Sequence, residues 1–335
     1  MKTIRILALT ATAAALTACS NDYEAASSYP SDNIVRVTAS VGDAATRASY
    51  NESNLEEFGL CIINELDSNY SYHGVKITKD ASTNTWKPET QMLWKNAQSP
   101  VHIVAFTNAP GVNAFITTPG ITSCCCGTIY NYVEEVQSDS TDRRCDFLVY
   151  KKLYFDPSKD LDQNGCIPIK FSHLLSQLNI NLTFGTEFNE GQTGGYLTQN
   201  PITDIKVGGS IINAVSNFWP STGNITITTD SRYTASNVTP HEVAGTFTEA
   251  SDNSENAKVQ YSCILVPQTI KAGEFSVTFT AGGKVYVWKS SADFTLESGN
   301  KHTLNLAVGK EVVKMGTFSV KAWDDTPSAE TLATE

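Results

Sequence analysis

The sequence predicts an all-β protein, and three observations predict it. Apolar residues alternate with polar ones at a period of two in segment after segment, the pattern of half-buried strands. Helical stripes are scarce, and no stretch demands a long helix. Gly, Pro, Asn and Ser punctuate the chain at short intervals, so short strands joined by turns, packed as β-sandwiches, are the expected architecture.

Residues 1–18 read as a targeting signal and carry no fold information: Lys2 and Arg5 precede a short apolar stretch, Ile6 to Leu16, too brief to span a bilayer. Leu16-Thr17-Ala18-Cys19 resembles the lipobox of bacterial lipoproteins. There the Cys carries the acyl chains and becomes the mature N-terminus, so Cys19 is the expected lipidation site. Residues 19–32 are small and polar and read as a flexible tether. Asp22 and Glu24, close to Cys19, resemble the surface-export signal of Bacteroidetes lipoproteins. Later segments fall short of the roughly 20 apolar residues of a spanning helix, so the expected membrane contact is the lipid.

The strands follow in order. Ile34–Val41 places Val35, Val37, Ala39 and Val41 on one apolar face. Phe58–Ile63 is next, and then Val101 to Phe106, a run apolar on both faces. After Phe147–Tyr150, the polar, turn-rich Asp156 to Gly165 marks an expected boundary between domains at 33–165 and 166–335. Ile167–Phe171 follows, and Leu178, Ile180, Leu182 and Phe184 then alternate with Asn179, Asn181 and Thr183. Beyond Val259–Val266, Phe275, Val277 and Phe279 alternate with Ser276, Thr278 and Thr280, and Gly282-Gly283 leads into Val285 to Trp288 as a two-residue hairpin. Thr303–Val308 and Thr317–Trp323 are the last strands before a polar tail, Asp324 to Glu335.

Composition narrows the function. Lys plus Arg number 24 against 35 Asp plus Glu, a net charge of −11 that becomes −13 once Lys2 and Arg5 leave with the signal. So acidic a chain is repelled by nucleic acid, which argues against a nucleic-acid partner. With Cys19 assigned to lipid, Cys61, Cys124, Cys125, Cys126, Cys145, Cys166 and Cys263 remain, an odd number that cannot all pair within one chain. Cys61 and Cys263 lie in apolar runs and read as buried thiols acting as small hydrophobes. A disulfide from the Cys124–Cys126 triplet to Cys145 or Cys166 is open, and spacing does not choose between them.

No residues assemble into a catalytic pattern. Asp160-Leu161-Asp162-Gln163-Asn164-Gly165 copies the first half of an EF-hand loop, but Phe171 stands where the bidentate Glu belongs, so a plain turn without metal is expected. The five His are scattered singly, and no nucleophile elbow, phosphate loop or dinucleotide fingerprint occurs. His173, beside Leu174-Leu175, reads as a structural hydrogen-bonding group, and Trp86, Trp94, Trp219, Trp288 and Trp323 read as core. The reading is a non-enzyme with no cofactor.

Several segments carry a family resemblance. They are Val37-Thr-Ala-Ser-Val41, Thr46-Arg47-Ala48-Ser49, Phe58-Gly59-Leu60, Leu93-Trp94 and Val104-Ala-Phe106-Thr-Asn108. Phe171-Ser-His173-Leu-Leu-Ser-Gln-Leu178, Ile264-Leu-Val-Pro267-Gln268, Leu296-Glu-Ser-Gly299 and Val320-Lys-Ala-Trp323-Asp324 extend the pattern. In order and spacing they resemble the fimbrillin family of Bacteroidales, the type V pilus subunits, in its Mfa-like branch. The resemblance implies two tandem transthyretin-like β-sandwich domains and an assembly route. An Arg-specific protease removes the lipidated segment with the first strand, and the vacated groove takes a strand from another pilin subunit. The matching positions here are Arg47-Ala48 as the cleavage site, Val35, Val37, Ala39 and Val41 as the removable strand, and Phe318, Val320, Ala322 and Trp323 as the donor strand.

Independently of the family, losing an amphipathic strand exposes an apolar slot and unpaired ladder groups, and open strand addition yields filaments. The bland alternative keeps Ile34–Val41 as a permanent edge strand and Arg47 as a loop residue. The function expected is a structural or accessory fimbrial subunit at the cell surface, tied to the outer membrane by lipid as a precursor. The competing function is a non-polymerising surface lipoprotein that binds glycan or host protein.

Overall fold

The computed structural model describes residues 28–42, 54–107, 127–138, 146–219, 224–251 and 254–323. The strands, in chain order, begin with β1 (Arg36–Val41), β2 (Glu57–Ile63), β3 (Tyr72–Asp80), β4 (Thr85–Pro88), β5 (Val101–Phe106), β6 (Gly127–Tyr132) and β7 (Leu148–Phe155). Next come β8 (Cys166–His173), β9 (Ser176–Phe184), β10 (Ile202–Ser210), β11 (Asn213–Trp219), β12 (Asn224–Thr229), β13 (Ser236–Val238) and β14 (His241–Glu242). The last are β15 (Lys258–Leu265), β16 (Gln268–Ile270), β17 (Ser276–Ala281), β18 (Lys284–Lys289), β19 (Phe294–Leu296), β20 (Asn300–Val308) and β21 (Val313–Ala322). Among the described residues the only helical turns are single 3₁₀ turns at Ser68–Tyr70 and Thr186–Phe188, so the all-β reading holds.

One seven-stranded sheet runs in the order β1-β8-β7-β5-β2-β3-β4. It curls until its two edges meet, where Ile34 bridges Leu93, just after β4. The alternation in β1, β2 and β8 sends Val37, Phe58, Leu60, Ile167, Ile169 and Phe171 into one core. Phe58 meets Phe171 edge-on at 5.2 Å between ring centroids. All six residues of β5 are buried, as its two-faced sequence requires. Ile103 and Ala105 enter this first core, while Val104 and Phe106 join a second.

The second core lies between a five-stranded sheet, β14-β15-β9-β20-β21, and a four-stranded sheet, β13-β10-β17-β18. Leu178, Ile180, Leu182 and Phe184 of β9 face it, opposite Val277 and Phe279 of β17. At the β17–β18 turn, Gly282 and Gly283 take φ of 58° and 79°, the left-handed pair that a two-residue hairpin needs.

The polar stretch Asp156–Gly165 is the turn between β7 and β8. Its carboxylates hold the backbone. Asp160 accepts from Lys152 Nζ at 2.7 Å and from the Asp156 amide at 2.7 Å, and Asp162 accepts from the Asn164 and Cys166 amides at 2.8 and 2.9 Å. Phe171, at the position an EF-hand reserves for Glu, is core. The sheet of the first core continues past this turn through β8, and the chain passes to the second core at Leu174-Leu175.

Two cysteine expectations need revision. Cys61 is disulfide-bonded, not a free thiol: its strand is apolar, yet burial of sulfur says nothing about its oxidation state. Cys166 is a free thiol, so it takes no part in a disulfide with the triplet. Cys263 is free and buried, as expected.

The join between the cores is polar and buried. His173 Nδ1 lies 2.8 Å from Asp146 Oδ1, and the His173 ring stacks on Trp323 with centroids 4.1 Å apart and planes 7° apart. His173 thus has the structural role its neighbours suggested. Asp146→Ala removes the carboxylate beside a buried imidazole nitrogen, at a cost of about 1–3 kcal/mol. We expect thermal unfolding followed by circular dichroism to show a melting temperature lowered by several degrees. An unchanged melting temperature would mean the pair does not secure the join.

Candidate assembly site

β1 is short, β-branched and amphipathic, which suits a strand with one face in a core. Val35, Val37 and Val41 are 2%, 6% and 5% exposed, and Ala39 packs half-buried against the same cluster. The removable-strand residues therefore sit together in the first core. Burying three valines is worth about 1.5–3 kcal/mol each.

The strand is held on both flanks and at its start. Along one flank it pairs in parallel with β8, Arg36 opposite Cys166 through Val41 opposite Phe171. β8 pairs with β7 only at Ser172 and His173, so over Cys166–Phe171 its ladder partner is β1. On the other flank the Val35 amide donates to Met92 O at 3.0 Å and the Trp94 amide to Asn33 O at 2.8 Å.

Upstream, Ser28–Pro30, in the segment expected to be a free tether, rests on the β7–β8 turn. Gly165 has φ of +73°, and a Cβ there would stand 2.6 Å from Ser28 O, so only Gly admits this contact. Arg36 and Asp32 form an exposed pair at 2.5 Å. The Arg36 hydrogen bond and the Ile34 amide hold the Asp32 carboxyl down to about 2.

The chain leaves β1 at Gly42 and is in the core again by Leu55, which is 1% exposed. Arg47 and Ala48, in the intervening segment, and Cys19 lie outside the described residues.

The proposed donor residues occupy the other core. β21 pairs with β20 alone and is the edge of the five-stranded sheet. Phe318 and Val320 are 36% and 41% exposed, and Ala322 is exposed too. Trp323 differs: it is fully buried, and its amide donates to Gly299 O at 2.9 Å. The structure thus brings β1's four residues together and divides the four at β21. Sequence reasoning missed β8, Met92 and Gly165 as the groove that holds β1. Gly in a turn was the one visible signal.

A cleft of about 620 Å³ lies across the outer face of the five-stranded sheet. Its lining includes Asn181, Thr183, Gln260, Asn305 and Thr317 and holds no carboxylate.

Beside β21, buried His302 accepts a hydrogen bond at Nε2 from the Glu297 amide, 2.9 Å, and stacks on Phe318. Burial pushes its pKa below the ordinary value, against a smaller upward pull from the Glu297 backbone and charge. The unfolded chain therefore takes up this proton first, near pH 6.5. The stability is fully present above that pH and is lost as the pH falls below it. Chemical denaturation of His302→Leu between about pH 5 and pH 7 should show a shallower acid loss of stability than wild type. Parallel curves would refute this assignment.

The fimbrillin-like family profile matches residues 46–323. Solved structures with the same fold include a candidate cell adhesion protein of Bacteroides uniformis, at 15% identity and TM-score 0.55, covering 88% of this chain and 99% of that one. Another, from Bacteroides ovatus, has 12% identity and TM-score 0.57, with 87% and 97% covered. The tip fimbrial protein Mfa3 of Porphyromonas gingivalis, with C-terminal truncation, has 9% identity and TM-score 0.50, with 86% and 99% covered. No curated protein sequence matches the chain. With the profile spanning most of its length on an all-β fold shared with fimbrial proteins, this chain belongs to the fimbrillin-like family.

Proposed function

We propose that this chain is a structural or accessory fimbrial subunit of the cell surface, completed by a strand from another subunit. In this reading it is exported as an outer-membrane lipoprotein on Cys19, its two cores are tandem transthyretin-like domains, and cleavage between Arg47 and Ala48 releases the lipid together with β1. The observation that carries it is that β1 closes the first sheet and is the ladder partner of β8 from Cys166 to Phe171. The family match begins at residue 46, after β1 and beside Arg47. Losing β1 uncovers an apolar slot and an unpaired edge together, the combination that strand addition satisfies.

The second reading, a lipid-retaining binder that never polymerises, draws on the cleft over β9 and β20. Its amides and hydroxyls, with Lys258 as the one charged group among the lining residues, suit a polyhydroxyl ligand such as a glycan.

An Arg-specific protease applied to the purified lipoprotein should give a new N-terminus at Ala48, read by sequencing, and Arg47→Ala should stay intact and lipidated. After removal of β1 the melting temperature should fall, and a synthetic peptide of residues 33–42 should restore it. A cleaved protein that loses β1 with no change in melting temperature would rule out the groove and favour the binder.

A further inference from the structure

We infer that this chain accepts a strand at the β1 groove but does not supply β21 to a groove of the same kind, so that its partner there is a different kind of subunit. The inference rests on the groove proposed above, and it names what fills the groove.

The groove defines its occupant. Its four inward positions hold Val35, Val37, Ala39 and Val41, and the last three stand opposite Ile167, Ile169 and Phe171. A fitting strand carries β-branched residues at the first, second and fourth positions and a small one at the third, because a close-packed core resists both overfilling and voids.

The chain's own C-terminal strand does not meet that pattern. Setting Phe318, Val320 and Ala322 at Val35, Val37 and Ala39 matches three positions, but it brings Asp324 to the place of Val41, beside Phe171. An unpaired carboxylate there has no compensating partner. From Val312 to Trp323, only one alternating set of four, in either direction, avoids a charged or hydroxyl side chain: Gly316, Phe318, Val320 and Ala322. Run forward, it puts Phe318 where Val37 is and Val320 where Ala39 is, and leaves voids at Val35 and Val41. Reversed, it puts Phe318 at Ala39.

A second observation points the same way. A donor strand must leave its own body, and β21 ends in an anchor. Trp323 is fully buried, stacked on His173, and tied through its amide to Gly299 O. β21 is an exposed edge along most of its length but fixed at the end a donor would have to free.

The test uses the protein cleaved after Arg47 and freed of β1, with three fluorescent peptides: residues 33–42, residues 313–325, and residues 313–325 carrying Asp324→Val. The 33–42 peptide should bind roughly 100-fold more tightly than the 313–325 peptide, the effect expected of burying an unpaired charge. Asp324→Val should recover most of that difference, and the cleaved protein alone should remain monomeric in size-exclusion chromatography. The inference is overturned if the unmodified 313–325 peptide binds within tenfold of the 33–42 peptide, or if the cleaved protein forms polymers alone. Failure of all three peptides to bind removes the groove itself, and the inference with it.

Discussion

Between Cys166 and Phe171, β8 has β1 as its ladder partner, and the pairing does three things at once. It satisfies the backbone of β8, it brings three valines over the first core, and it closes a sheet whose far edge is already near, at Leu93. Buried main-chain groups left unpaired are costly, so β8 cannot stay in place without some strand beside it. The local geometry follows from this. Gly165 lacks a Cβ where Ser28 must pass, and Asp162 ties down the turn that delivers β8.

The rest of the first sheet does not depend on β1 in the same way. β5 is buried on both faces, with Ile103 and Ala105 in one core and Val104 and Phe106 in the other. Cys61 on β2 is covalently tied and faces the second core. These strands are braced from behind by a hydrophobic cluster that β1 never touches. A slot left at β1 therefore keeps a fixed floor at β2 and β5, which lowers the ordering cost of whatever strand enters, while β8 is re-paired by that strand.

Much of this was legible in the residues, and the boundary of legibility has a physical reason. Period-two alternation located most of the strands around both cores, because each such strand buries one face. The double burial of β5 was visible as an unbroken apolar run, and the β17–β18 hairpin as Gly282-Gly283. Partnership was not visible. Val37 reads as inward-facing in any sheet, but nothing local says that it lies beside Ile167, 130 positions away. The disulfide at Cys61 was hidden for the same reason, and β3–β4 because its half-buried residues alternate weakly. At the C-terminus the letters Phe318, Val320, Ala322 and Trp323 look alike as hydrophobes, yet only Trp323 reaches the core. Edge position exposes the others.

The direction of the β1–β8 pair is the last constraint. An antiparallel neighbour joined by a short turn is held by that turn, and cutting the turn weakens the pair. Parallel neighbours have no such link, and a long crossover must separate them. β1 and β8 are parallel and joined only through the whole intervening fold. What keeps β1 in place is consequently what would keep any separate strand there: side chains in pockets, a main-chain ladder on one flank, and two further bonds, with Met92 and Trp94, at its start on the other. The strand is bound as a ligand is bound, within its own chain. Severing it at Arg47 changes its effective concentration and none of its contacts, so replacement becomes a competition between sequences for one set of pockets.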